Sequence, residues 1–189
     1  MKTPNVFNVL LRSSNSENSA ATFSCNFNLG SVLQNAPNLI NFQKQSYCKV
    51  KVRYFGIKAV HGAGNPLLNV GSIEIHLNVP NPNTLESAAH TGEYQMISSS
   101  VIGLVPTEST AFTHANNAYD NDYFYSANVF QGGINISLHN ADTGAILAGL
   151  TDDHPWHLLL EVCYDDDPAR VNDNSGLLNT KNVEYELRY

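Results

Sequence analysis

Apolar and polar residues alternate with a period of two along most of this chain. The alternation is clearest in the segments TFSCNFNL (22–29), SIEIHLNV (72–79), INISLH (134–139) and VEYELRY (183–189). Successive side chains of a β-strand point to opposite faces, so this pattern predicts half-buried strands with one face on a core. VFNVLL, YQMISSSVIGLV and DYFYSANVF are further strand candidates, and the total reaches about nine.

Segment 48–60, CKVKVRYFGIKAV, alternates until its apolar phase shifts by one residue near Tyr54. A β-bulge at Gly56 would explain the shift. The dipeptide Gly132-Gly133 predicts a tight hairpin between DYFYSANVF and INISLH. Both features are typical of antiparallel sheets.

The fold class follows from these elements. Only residues 34–44 offer a short helix candidate, and no internal repeat or linker divides the chain. A length of 189 residues suits one domain with a full core. We therefore predict an all-β chain: a single antiparallel β-sandwich of jelly-roll type, with about eight or nine strands, spanning 1–189.

The stretch DDHPWHLLLEVCYDDD (152–167) has the composition of an active site, and its interpretation depends on secondary structure. A helix would bring His154, His157 and Glu161 onto one face as a metal trio. A strand would instead place Trp156 and every second residue after it on one apolar face. Because nearly every other segment is typical of a strand, we favour the strand and no metal site.

The remaining chemistry argues against an enzyme. The other histidines, including His76 and His139, lie on polar strand faces or near turn residues, and no G-x-S-x-G or glycine-rich phosphate loop occurs. The run after Asp165 does not fit the calcium-loop pattern. Three cysteines, with no C-x-x-C pair, favour reduced thiols and a cytosolic origin. We expect no catalysis, no cofactor, no metal and no disulfide.

Composition bears on partners. Charged residues make up 14% of the chain, against about 25% in an average soluble protein, while 24 residues are asparagine. The net charge of -7 disfavours a general nucleic-acid binder, since phosphate contacts need clustered Lys and Arg. No apolar run is long enough for a membrane span, and the first residues are too short a run for a secretory signal.

Two groups of charges are candidate contacts. Residues 1–94 carry an excess of basic residues, and residues 95–189 an excess of acidic ones. The candidate interface residues are Lys49, Lys51, Arg53 and Lys58 on one strand and Asp165, Asp166 and Asp167 in one loop. A basic edge of one copy meeting the acidic end of the next would give a head-to-tail contact that can close a ring.

The piece GGINISLHNADTGAIL, followed by PWHLLLEVCYDD, resembles the carboxy-terminal half of single jelly-roll capsid proteins of large icosahedral double-stranded DNA viruses. The opening FNVLLRSSNSENSAATFSCNFNL is also similar. The resemblance implies a penton or minor capsid protein that packs against other capsid proteins. It further implies a homo-oligomer, pentamer or trimer, in a virion capsid assembled in the host cytoplasm.

The alternative is a carbohydrate- or receptor-binding β-sandwich, such as a fibre head or lectin-like module. Tyr119, Tyr123, Phe124 and Tyr125 would form an aromatic platform for a sugar ring. The residues between them, Asp120 to Asp122, would supply hydrogen bonds. Burial of some of these rings in strands is the competing interpretation.

Overall fold

The computed structural model describes residues 5–30, 47–58, 65–79, 85–90, 93–107, 112–115, 123–126, 130 and 132–164. The strands in this part of the chain are β1 (Asn5–Arg12), β2 (Ser24–Asn28), β3 (Tyr47–Lys58), β4 (Ser72–Leu77), β5 (Leu85–His90), β6 (Glu93–Ser98), β7 (Val101–Pro106), β8 (Phe112–Ala115), β9 (Tyr123–Ser126), β10 (Gly133–Asn140) and β11 (Trp156–Tyr164). A 3-10 turn, Ser13–Asn15, follows β1.

Strand order shows the jelly-roll fold. One sheet runs β1-β11-β3-β8, with β9 also paired to β3, and the second runs β2-β10-β4-β7. The antiparallel pairs β1/β11, β2/β10, β3/β8 and β4/β7 thus alternate between the two sheets. A long hairpin rolled into a sandwich has this order. Between β4 and β7 the chain makes a separate two-stranded hairpin, β5–β6.

The core lies between the two sheets, and the predicted alternation is confirmed in its strands. In β4 and β10, every second residue is buried and the residues between them are half-buried or exposed. Trp156 is the largest fully buried side chain. The centroid of its ring lies 6.0 Å from that of Phe27 in β2 and 6.1 Å from that of Phe55 in β3, so Trp156 packs against side chains of both sheets.

Residues 156–164 form a strand, as predicted, and the helical alternative with its metal trio is wrong. β11 pairs with β1 on one side and β3 on the other. Trp156, Leu158, Leu160 and Val162 are all buried. His157 and Glu161 therefore lie on the opposite, outer face. His154 precedes the strand and hydrogen-bonds within its own turn to Thr151.

The bulge of β3 lies earlier than predicted. Leu159 pairs with Tyr54 and Leu160 with Val52, so Arg53 is the extra residue. Gly56 pairs regularly with His157. A side chain at Gly56 would meet the Tyr54 hydroxyl, because the Tyr54 ring covers that position. The predicted shift in register is thus confirmed, but Gly56 is not the bulge residue. Its lack of a side chain allows the Tyr54 ring to pack closely against it.

Two predicted connections are wrong. β9 pairs with β3 in the five-stranded sheet, whereas β10 pairs with β2 and β4, so Gly132-Gly133 does not join two neighbouring strands. The segment YQMISSSVIGLV is two strands of different sheets, β6 and β7, separated at Ser99 and Ser100. The Ser99 hydroxyl accepts a hydrogen bond from the Val101 N–H, which fixes the break. The predicted helix 34–44 and strand 183–189 lie outside the described residues.

Candidate interaction surfaces and a histidine cluster

The basic residues predicted as contacts lie along β3, whose inward positions are apolar. Lys58 is exposed and Lys51 half-buried. Lys49, by contrast, has only 9% of its surface exposed. Asp165, Asp166 and Asp167 lie outside the described residues.

Arg53 makes a bidentate ion pair across the sheet. Its Nε donates to Oε2 of Glu161 at 2.9 Å and its Nη2 donates to Oε1 at 2.7 Å. The β3 bulge supplies the extra residue that carries this guanidinium beside β11. Two parallel N–H to oxygen bonds fix both side chains. Part of the basic strand therefore has a structural role within the chain.

The outer face of the same sheet also carries apolar side chains that the sequence analysis did not single out. Val6 is 50% exposed and Leu10 46% exposed, both on β1. They pair with Cys163 and Leu159 of β11, which are half-buried. We call Val6, Leu10 and Leu159 the β1 patch. The sequence does contain a sign of this exposed apolar surface: VFNVLL has apolar residues on both faces of the strand, whereas strict alternation would make only one face apolar.

The β5–β6 hairpin is a second exposed apolar surface. Leu85, Met96 and Ile97 are 57%, 62% and 44% exposed. Its register pairs Leu85 with Ser98 and Ser87 with Met96. Surface leucines and methionines are ordinary when single, but several on one small element indicate a contact site.

A histidine cluster lies on the outer face of the four-stranded sheet. The rings of His76 and His139, from adjacent strands, are stacked with centroids 4.0 Å apart. His76 Nδ1 lies 2.7 Å from Ser100 Oγ, and its Nε2 lies 3.0 Å from Glu74 Oε2. His139 contacts Ser137 Oγ at 3.1 Å. The ring stack joins the two strands, while the hydrogen-bond contacts, most of them within one strand, give the imidazole nitrogens polar partners.

The chemistry open to this cluster is limited by its geometry. In a serine hydrolase the carboxylate holds Nδ1 of the imidazole and the serine faces Nε2. At His76 those two positions are exchanged. Among the described residues, no group of three or more His, Cys, Asp or Glu side chains is placed to hold a metal ion. The arrangement orients side chains across the sheet rather than reproducing a hydrolytic or metal site.

The described thiols differ in environment. Cys25 and Cys48 are fully buried, and Cys163 is half-buried on the outer face. Burial raises the pKa of the Cys48 thiol to about 12, with a smaller contribution from the nearby Cys163. Burial also raises the pKa of Cys25. None of the three forms a disulfide bond.

The aromatic platform of the carbohydrate-binding alternative is only partly described. Tyr119 and the acidic and amide residues after it lie outside the described residues. Tyr123 to Tyr125 belong to β9, which pairs with residues 48–50 of β3. The backbone of this segment is therefore part of the five-stranded sheet.

The chain was compared with protein-family models and with curated proteins. No protein-family model matches the chain, and no curated protein matches it significantly. In the described part of the chain, no helix is long and apolar enough to cross a membrane.

Proposed function

We propose that the protein is a structural virion protein, a penton or minor capsid component that packs against other capsid proteins in an icosahedral shell. The single observation that carries the proposal is a jelly-roll sandwich with two exposed apolar surfaces, the β1 patch and the β5–β6 hairpin, on different sheets. A subunit of a closed shell needs at least two contact surfaces, whereas a monomeric binding module needs one.

The composition of the surface supports the same role. Few charges and many amides allow close packing against neighbours, because uncharged polar groups are desolvated at lower cost than ions. The resemblance of three sequence pieces to capsid proteins adds to this argument. The place of action would be the virion capsid, assembled in the host cytoplasm, with the protein as a pentamer or trimer.

The part played by the basic residues is narrower than the sequence suggested. Arg53 is paired with Glu161 and Lys49 is buried. Lys58, which is exposed, and Lys51, which is half-buried, are the residues of β3 that we propose as basic contacts. Their charges would orient and speed the approach of an acidic partner surface, while apolar contacts would supply most of the affinity.

Quantitative mass spectrometry of purified particles from the source of the gene tests the proposal. We expect the protein in the particle at a fixed copy number that icosahedral symmetry allows, together with self-association of the purified chain. Absence from particles would contradict a capsid role. A glycan array provides the matched comparison, because specific sugar binding by a chain absent from particles would favour the carbohydrate-binding alternative.

A further inference from the structure

We propose that His76 and His139 form a proton-responsive pair on the outer face of the four-stranded sheet. The pair would hold one imidazolium stably, and the binding of a second proton would loosen the turn that follows β10. Such a device lies within one chain and is independent of the capsid role proposed above. The observations behind it are the partner of each ring nitrogen and the distance between the two rings.

One nitrogen of each ring has a partner that fixes a hydrogen on it. His139 Nδ1 lies 3.0 Å from the Gly144 carbonyl oxygen, and His76 Nε2 lies 3.0 Å from Glu74 Oε2. A carbonyl oxygen or an ionised carboxylate can only accept a hydrogen bond, so each of these nitrogens carries a hydrogen and donates it. The neutral tautomers are therefore Nδ1–H for His139 and Nε2–H for His76.

The other nitrogen of each ring faces a serine hydroxyl. His76 Nδ1 lies 2.7 Å from Ser100 Oγ, and His139 Nε2 lies 3.1 Å from Ser137 Oγ. A hydroxyl donates to a neutral imidazole nitrogen, and it accepts from a protonated one once its own hydrogen has rotated away. A proton can therefore bind to either ring without breaking a hydrogen bond at that ring.

The ring stack opposes a positive charge on both histidines at once. The ring centroids are 4.0 Å apart. The side chains of His76 and Glu74 are only 13% and 23% exposed, so solvent screens the charges of the cluster weakly. Like charges at this distance repel, and two sites that interact strongly bind their protons in separate steps.

One carboxylate, that of Glu74, is placed to balance an imidazolium, and it can balance one but not two. β4 and β10 contain no ionisable residue besides Glu74 and the two histidines. Beside them, β7 has none, and β2 has only Cys25, which is buried in the core. Asp142, in the turn after β10, accepts a hydrogen bond from the Gly71 N–H instead. The first proton should therefore bind to the ring that contacts Glu74.

The turn after β10 depends on this pair. His139 holds it through the Gly144 carbonyl, while the Gly144 N–H donates to the Asn140 carbonyl at 2.7 Å. Gly144 also has a positive φ of 69°, so the turn has a specific backbone shape to lose. If two charged rings move apart, the bond from Nδ1 to the Gly144 carbonyl is lost and the turn opens.

The sign of the pH dependence follows from proton counting. Below the ordinary histidine pKa of about 6.5, the unfolded chain binds a proton on each histidine, whereas the folded pair holds one. The unfolded state then binds more protons, so stability falls as pH falls. One proton of difference lowers the folding equilibrium constant by up to about tenfold for each pH unit.

Nitrogen-15 NMR of the histidine rings tests the pair, because ring nitrogen shifts distinguish N–H from a lone pair. At pH 9 we expect the Nδ1–H tautomer for His139 and the Nε2–H tautomer for His76. Between pH 9 and pH 5 the pair should take up its protons in two steps, at least about one pH unit apart. His157, which is exposed on the other sheet, is the control and should titrate in one step.

Two variants separate the effect of the ring stack from that of the carboxylate. In His76→Gln, His139 should take up its proton at a higher pH than the second step of wild type, because the repelling charge is gone. In Glu74→Gln, the first step should move to lower pH, because the balancing carboxylate is gone. The titration of His157 should be the same in both variants and in wild type.

Hydrogen exchange at the Gly144 amide tests the loosening of the turn. In wild type its protection, corrected for the intrinsic exchange rate, should fall between pH 7 and pH 5. In His76→Gln it should stay constant, because a single charged ring has no charged neighbour to move away from. Constant protection in wild type would contradict the opening of the turn.

Reversed tautomers, or proton uptake by both rings in one step, would overturn the proposal. So would uptake by His139 in His76→Gln at the same pH as the second step of wild type. Tautomers and steps are read on the wild-type chain, so the test stays decisive even where a variant fails to fold. All these measurements use the isolated chain, and neither outcome bears on its copy number in particles.

Discussion

Trp156 shows how one side chain ties distant parts of the chain together. Its indole N–H donates to the Thr22 carbonyl at 2.6 Å, and its backbone N–H donates to Ser13 Oγ at 2.9 Å. The ring itself packs between aromatic residues of both sheets. Because the buried indole N–H has a buried acceptor, the hydrogen bond fixes the orientation of the ring while burial of its apolar surface stabilises the core.

The variant Trp156→Phe should lower the free energy of unfolding by roughly 1–3 kcal/mol. The change leaves the Thr22 carbonyl only the weak thiol donor of Cys25, at 3.6 Å, and removes ring volume from the core. Thermal melts followed by circular dichroism should show a Tm lower by several degrees. An unchanged Tm would mean that the indole bond contributes no net stability.

The thiols should react in a fixed order. At pH 8 we expect a thiol reagent to modify Cys163 in the folded protein, and Cys25 and Cys48 only after unfolding, as read by mass spectrometry.

The raised pKa of Cys48 also predicts how the stability of the fold depends on pH. Its contribution to stability is complete below the unfolded value near 9.0 and falls as pH rises toward about 12. Cys48→Ala should lessen that decline, and equal declines in both proteins would contradict it.

The sequence predicted which face of a sheet a side chain lies on better than it predicted which side chains it contacts. Alternation placed His76 and His139 on outer faces, but it contains no register, so their stacking could not be foreseen. The same pattern placed Lys49 outward, and the pattern alone does not reveal that this side chain is buried. Periodicity fixes a side of the sheet, while cross-strand partners depend on topology.

At the scale of elements, β11 is a central strand that lies between β1 and β3, so it should tolerate polar substitution poorly. Leu160→Asp should abolish soluble folding, since an unpaired buried charge costs several kcal/mol against a total stability of about 5–15. The soluble fraction after expression and the circular dichroism spectrum check this. A soluble, folded variant would contradict the central position of the strand.

Arg53, which forms an ion pair with Glu161 of β11, is exposed, and its substitution should cost far less stability. Arg53→Ala removes the ion pair to Glu161 but leaves the bulge, so we expect a loss of at most about 1 kcal/mol. Urea denaturation of this variant beside wild type measures the difference. A loss as large as that of a core truncation would show that the bidentate pair, and not the backbone, holds the bulge.

Elements were predictable where one face is buried and the other polar. β2, β4, β10 and β11 follow their sequence pattern closely. β6 and β7 were predicted as one strand because Ser98 to Ser100 are compatible with strand; in the structure the run breaks at Ser99, whose hydroxyl accepts a hydrogen bond from the Val101 N–H. The β5–β6 hairpin was missed because LESAAH has weak alternation and few β-branched residues.

At the scale of the whole molecule, charge should govern the rate of assembly more than its extent. Lys51→Glu with Lys58→Glu should slow self-association, followed by light scattering, while raised salt weakens it only modestly. The matched Gln variants should show a smaller effect. Assembly at the wild-type rate across salt concentrations would mean that these lysines protect the sheet rather than contact a partner.

Stability should not depend on a metal or a disulfide. The cysteines lie on separate strands, and no metal-binding group of side chains exists among the described residues. Thermal melts with and without chelator, and with and without reductant, should therefore superimpose. A Tm lower by several degrees in chelator would point to the acidic run after Tyr164 as a calcium site.

The pairing of β1 with β11 also sets the timetable of folding during translation. Ser13 and Trp156, which bond at one end of that ladder, are 143 positions apart in the chain. The ribosome must therefore synthesise more than 140 further residues before β1 can pair with β11, and during that interval VFNVLL lacks this neighbour. Folding dominated by such remote contacts takes about milliseconds to seconds. The nascent chain consequently presents an aggregation-prone strand for longer than a helical protein would, and chaperones in the producing cell would act on it at this stage.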